Sequence, residues 1–206
     1  MSGTEKLANP APLGPMGFAI TTILLNLHNA GITALSATIL AMGLMFGGLA
    51  QLLVGVMEWK KGNTFGTTAF TSYGCFWLGL VLIILMPNFG IGAVAATKME
   101  MAWFLGLWGV FTLFLFVGTL KTNRTLQFVF GSLVALFFLL VIGDATGVRK
   151  ITVLAGYVGI ICGASAFYTA MAQVLGESLG KDVLPTWPVK PKADLKRVKE
   201  AGAEPN

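Results

Sequence analysis

Five stretches of this chain, residues 7–57, 62–97, 101–120, 125–143 and 151–176, contain no Asp, Glu, Lys or Arg. A water-soluble surface needs polar groups at closer intervals than that. With 55% hydrophobic and only 11% charged residues, and a mean hydropathy of +0.78, the chain reads as membrane-embedded. A hydrocarbon core of about 30 Å is crossed by roughly 20 helical residues, so each stretch can span a bilayer. The first, with 51 residues, holds two crossings separated by the turn formers Asn29, Gly31 and Ser36. The prediction is an all-α integral membrane protein with six spans at about 13–28, 36–58, 67–87, 101–121, 125–143 and 151–175. Strands are excluded on pattern, because the stretches are continuously apolar and lack the polar alternation of a lumen-facing barrel.

The loops set the expected orientation. With both ends inside, eleven Lys and Arg fall on the inner side and three, Lys98, Arg149 and Lys150, on the outer. Discounting the five beyond residue 189 leaves six against three, which favours N-in, C-in. Residues 1–12 form a short cytoplasmic segment, 13–178 the transmembrane domain and 179–206 a basic tail. The polar, proline-containing start lacks the features of a cleaved signal and is expected to stay. From Pro185 on, four prolines and alternating charge read as a loose cytoplasmic end. The formal charge of +5 reflects orientation and contact with the lipid bilayer rather than nucleic acid.

Inside the spans the polar inventory is neutral. Thr22, Asn26, Gln51, Thr71, Ser72, Gln127 and Ser132 are candidates to line a pathway, although such residues also bond neighbouring helices. A carboxylate proton relay or a buried cationic anion site is not expected, since no span shows one. The segment Asn9-Pro10-Ala11-Pro12-Leu13-Gly14 offers a capped helix N-terminus, with amides and a positive dipole end suited to a carboxylate, or simply a rigid turn. His28, the one histidine, fits an interfacial cap better than a proton switch. Cys75 and Cys162 read as small apolar residues. Gly43 with Gly47, and Gly159 with Gly163, have the spacing of close helix packing, within the chain or between copies. No nucleophile–base pair, HExxH or GxSxG pattern occurs, so neither catalysis, cofactor nor metal is expected.

Seven blocks in order carry a resemblance: NPAPLG (9–14), GGLAQLLVG (47–55), KGNTFG (61–66), TAFTSYG (68–74), GLWGVF (106–111), LQFVF (126–130) and GASA (163–166). Together the chain resembles the acetate uptake transporter family over roughly residues 6–187. That resemblance implies six spans, a homohexamer with one pathway per protomer, a bacterial-type inner membrane and passage of acetate and other short carboxylates. It further implies a constriction at Phe18, Tyr73 and Leu133, a substrate-size position at Ala166 and a pathway mouth at residues 9–14. Pro15, directly after NPAPLG, departs from the family pattern. On chemistry alone, Phe18, Tyr73, Leu133 and Ala166 suit plain packing equally well. An apolar constriction without a cation suits weak binding and fast passage. Acetate anion, acetic acid or acetate with a proton all remain open as the permeant. A channel for water or small neutral solutes, or a membrane sensor that moves nothing, are the other readings.

Overall fold

The computed structural model describes residues 8–90 and 95–189. Six helices account for nearly all of them: α1 (Leu13–Asn29), α2 (Ala37–Lys60), α3 (Thr64–Leu85), α4 (Lys98–Thr119), α5 (Arg124–Thr146) and α6 (Arg149–Leu179). A single 3-10 turn, Met86–Phe89, prolongs α3 to Gly90. Five of the six, all but α1, are long and apolar enough to cross a membrane. α1 has 17 residues.

Local chemistry explains where the helices depart from the predicted bounds. Asn63 and Asn123 cap α3 and α5 by accepting the amides of Gly66 and Leu126. At α4, Thr97 and Glu100 form a reciprocal capping box. These caps start α3, α4 and α5 one to three residues earlier than hydropathy suggests, because cap residues are polar and hydropathy discards them. α5 also runs on to Thr146, ending at Gly147 in the left-handed region (φ 70°). Asp144 therefore lies inside a helix and not in the loop that the hydropathy pattern predicts.

The helices form a ring. α1 packs on α6, α6 on α5 and α5 on α4, while α2 packs on both α1 and α3. The α3–α4 seam is looser in backbone terms and is closed by large rings: Phe76 stacks on Phe104 with centroids 5.5 Å apart, and Phe76 meets Trp108 edge-on at 5.1 Å. Elsewhere the ring closes through missing side chains. A Cβ on Gly156 would lie 2.3 Å from the Ala30 amide nitrogen, and one on Gly159 would lie 2.1 Å from the Asn26 side chain. Gly43 and Gly47 sit under Val81 and Trp77 of α3. Both glycine pairs are thus used within the chain. The middle of α2, Gly43–Ala50, is a π-helix, whose wider turn carries the Phe46 carbonyl against Gly17.

Large apolar side chains point outward, among them Trp103, Leu107 and Phe114 of α4, each more than 70% exposed. Such a belt has no place in water and suits lipid. One expectation is corrected here. The segment after Pro185 is not loose as far as it is described: the Trp187 carbonyl accepts the Arg124 amide at 3.0 Å, Val189 N–H donates to Thr122 at 2.8 Å, and Tyr168 donates its hydroxyl to Pro185. Three proline-flanked residues with few side-chain signals hide backbone pairing of this kind from a reading of composition. Residues 190–206 of the expected tail and 1–7 of the expected N-terminal segment lie outside the described residues.

Candidate transport pathway

Two cavities occupy the inside of the ring, one above the other. The proximal cavity, of about 150 Å³, lies on the side of the NPAPLG segment and is lined by residues that include Ala11, Pro15, Gln51, Asn63, Thr169 and Gln173. The distal cavity, of about 210 Å³, is lined by Thr22, Asn26, His28, Trp77, Asp144 and Thr152 among others. Three residues wall both: Phe18, Tyr73 and Leu133.

Those three come from three helices and are each at most 7% exposed. Phe18 and Tyr73 rings lie 6.2 Å apart, centroid to centroid, at 49°. Phe111 and Phe130 buttress Tyr73 from α4 and α5. The Tyr73 hydroxyl is 2.9 Å from Thr112 Oγ1. Because Thr112 spends its own proton on the Trp108 carbonyl, at 2.7 Å, Tyr73 is the donor in that pair. Its hydroxyl is therefore committed to Thr112, while the residue forms part of the wall of both cavities. Ala166, fully buried on α6, lines the proximal cavity.

Among the candidate lining residues the structure divides sharply. Gln51 reaches the proximal cavity, donates to the Gly14 carbonyl at 3.3 Å and leaves its own carbonyl oxygen without a partner. Thr22 and Asn26 line the distal cavity; the Thr22 hydroxyl is likewise unpartnered, as is the Trp77 indole N–H beside it. Buried polar atoms are nearly always bonded, so these three, on residues that line the two cavities, stand out as uncommitted polar groups along them. Thr71 is instead pressed against Gly55 at the α2–α3 contact, and Ser132 bonds back to Phe128 and Val129 of its own helix. Gln127 fastens the start of α5 to the carbonyls of Thr119 and Leu120, and Ser72 lines neither cavity.

The NPAPLG segment is split in the same way. Ala11 lines the proximal cavity, whereas Asn9, Pro12 and Leu13 border a shallow outer groove with Glu177. Asn9 is not the helix cap; that position belongs to Pro12, whose ring offers no hydrogen-bond acceptor. The Pro10 carbonyl accepts the Leu13 amide at 3.1 Å, and Gly14 gives room for the Phe70 ring. Asn9 serves as a link: its amide donates to Glu177 at 2.6 Å, and its oxygen accepts from Lys61 at 2.8 Å.

The expectation that no carboxylate stands within the bundle is overturned twice. Glu58, fully buried in the last turn of α2, accepts from Asn63 and pairs with Lys61 at 3.5 Å. Asp144 stands in the distal wall. Glu58 was visible as the last residue of a predicted span, but its burial depends on Gly66, which leaves the space its side chain fills. Trp77, Asn63 and Thr152 carried no pattern that separates them from packing residues.

These features define a multi-pass, all-helical membrane protein with a discontinuous internal pathway. The chain belongs to the GPR1/FUN34/yaaH family, whose model matches residues 2–190. It is 61% identical over 183 residues to the succinate-acetate/proton symporter SatP of Escherichia coli K12, covering 89% of this chain and 97% of that one. It is 33% identical to acetate permease A of Emericella nidulans, across 95% of this chain and 72% of that one. The solved structure of the bacterial acetate channel SatP superposes with a TM-score of 0.86 at 61% identity, covering 88% of this chain and 99% of that one.

Proposed function

We propose that this protein carries acetate and related short carboxylates, succinate among them, across the bacterial inner membrane through the two cavities and the side-chain layer between them. The observation that carries this reading is the shared wall: Phe18, Tyr73 and Leu133 are all that the two cavities have in common. A barrier one side chain thick between two half-channels is what a fast, low-affinity pathway needs. The names of the relatives supply the solute class.

The barrier chemistry favours a solute that sheds its charge. Phe18 and Leu133 have no donor to offer a carboxylate, and the Tyr73 hydroxyl is spent on Thr112. A desolvated anion without a partner costs far more than the neutral acid. We therefore read the flux as proton-linked, with the acid crossing the barrier in protonated form. With a carboxyl pKa of roughly 4 to 5, that form is on the order of one per cent or less at neutral pH, so flux should rise as the pH falls toward the carboxyl pKa. Thr22, Trp77 and Gln51 offer weak, uncharged contacts on either side. No residue is assigned a catalytic role.

In the same reading α1 is the sixth span, both termini face the cytoplasm, and six copies assemble with one pathway each. The exposed apolar faces of α2, α4 and α6 are available to lipid and to neighbouring protomers.

The test is uptake of labelled acetate into liposomes containing the purified protein, with internal and external pH matched and well above the carboxyl pKa. Protein-free liposomes give the background. Protein-dependent flux that carries protons with the label supports the reading. Folded protein that binds acetate without flux makes it a sensor, and flux of water or glycerol without acetate makes it a neutral-solute channel.

A further inference from the structure

Asp144 is a lone carboxylate in a wall that is otherwise uncharged. Thr22, Asn26, Asn29, Tyr73, Trp77 and Thr152 supply the neutral polar groups of the distal cavity, and the remainder is almost wholly apolar. The side chain is half-buried near the C-terminal end of α5, inside the helix because the turn does not come until Gly147. Among the described residues no Lys or Arg lies within ion-pair distance of it. The charged or titratable groups facing it are few. Lys98 approaches from the start of α4, and His28 of α1 lines the same cavity. The start of α6 carries Arg149 and Lys150, and the Arg149 guanidinium is turned to the α1–α2 loop at Gly31. His28 is committed on one side, since its Nδ1–H donates to the Thr33 carbonyl at 3.1 Å.

We infer that Asp144 sets the charge selectivity of the distal cavity, excluding free carboxylate anions while leaving protonated acids untouched. An ionised carboxylate raises the energy of any second anion in a confined, poorly screened space. At an effective dielectric constant of about 20 and a separation of about 10 Å, the repulsion corresponds to roughly a tenfold lower anion occupancy. A neutral acid feels none of it. Lys98 offsets part of this field from the rim. The inference deepens the proposed pathway by locating a source of discrimination between acid and anion away from the aromatic barrier. Its consequence for flux rests on that pathway, but the cavity potential does not.

The potential can be measured without transport. Thr152→Cys, in a background carrying Cys75→Ser and Cys162→Ala, places one thiol in the distal wall. Its rates of modification by an anionic sulfonate thiosulfonate and a cationic trimethylammonium thiosulfonate give a ratio that reports the local potential. Adding Asp144→Asn, which keeps shape and removes charge, is expected to lower the cation-to-anion ratio about a hundredfold, roughly tenfold in each rate. Asp144→Glu should restore it. An unchanged ratio in Asp144→Asn, or a thiol that reacts with neither reagent, overturns the inference. Absence of acetate flux in the unaltered protein, with a ratio that still responds to Asp144→Asn, would instead reject the transport reading alone.

Discussion

The two cavities meet at the same three side chains and are framed in opposite ways. Around the proximal one, charged groups tie different helices together: Glu58 to Asn63 and Lys61, Lys61 to Asn9, Asn9 to Glu177. That chain of bonds joins the end of α2, the start of α3, the segment before α1 and the end of α6. Around the distal cavity, apart from the bond of the shared Tyr73 to Thr112, the side-chain bonds stay local, with Asn26 donating to the Thr22 carbonyl and Asn29 to Asn26 within α1. Helices are held there by close backbone approach instead. The comparison teaches that the proximal end is fastened by polar bonds and the distal end by shape, so the two should fail differently when disturbed.

The largest effect is expected where shape alone holds. Gly156→Val brings a branched side chain onto the Ala30 backbone, which cannot move aside. Overpacking of that kind costs about 3 kcal/mol or more when the obstacle is main chain. A fall in yield of folded protein and in the detergent unfolding midpoint would show it. Wild-type stability in this variant would mean that α1 and α6 are held by something other than close approach.

Second in size is the proximal network. Glu58→Ala removes the fully buried acceptor of the Asn63 side-chain amide. Hydrogen bonds to a charged group contribute about 2 kcal/mol, and the half-exposed Lys61 adds little because water screens it. Glu58→Gln should lose less, since an amide oxygen can still accept from Asn63. Equal losses in the two variants would assign the stabilisation to volume rather than to bonding. Neither should alter the preference between acetate and succinate.

Much of the fold was legible because its signal is global: lipid forbids charge and unpaired amides over long stretches, so the number and order of helices follow from where charge is absent. The polar framing was not legible, because Asn9, Lys61, Glu58 and Glu177 come together only after four helix ends converge. Similarly, the fate of Thr71 and Ser132 depends on which way a helix faces, and continuously apolar spans leave that undetermined. Thr22, Asn26 and Gln51 reach cavities, yet their composition is indistinguishable from that of the residues that do not. The barrier candidates came from family blocks rather than from chemistry, since a Phe, a Tyr and a Leu in membrane helices are ordinary packing residues until two cavities appear on either side of them.

The shared wall is where the third effect is expected, on selectivity more than on stability. Leu133→Ala opens the layer between the cavities, and Phe18→Ala opens it from the opposite helix. Each should raise succinate flux relative to acetate, on the order of tenfold, as a pocket changed by a few methylene groups discriminates at that level. Competing labelled acetate and succinate in the same liposomes measures the ratio directly. If both variants retain the parent ratio, the barrier lies elsewhere along the ring.

The smallest effect separates two roles for Tyr73. If its ring is the barrier, its hydroxyl serves only to hold the ring, through the 2.9 Å bond to Thr112. Tyr73→Phe then removes one neutral hydrogen bond, costs roughly 1 kcal/mol and leaves selectivity unchanged. Thr112→Val removes the same acceptor and should cost about as much. Because the two side chains share one bond, the double variant should lose little more than either alone. A drop in acetate flux in Tyr73→Phe that Thr112→Val does not reproduce would show the hydroxyl turning from Thr112 to the solute. The barrier would then be a binding site, and the argument for a neutral permeant from a barrier without free donors would have to give way to a donor that stabilises the anion as it passes.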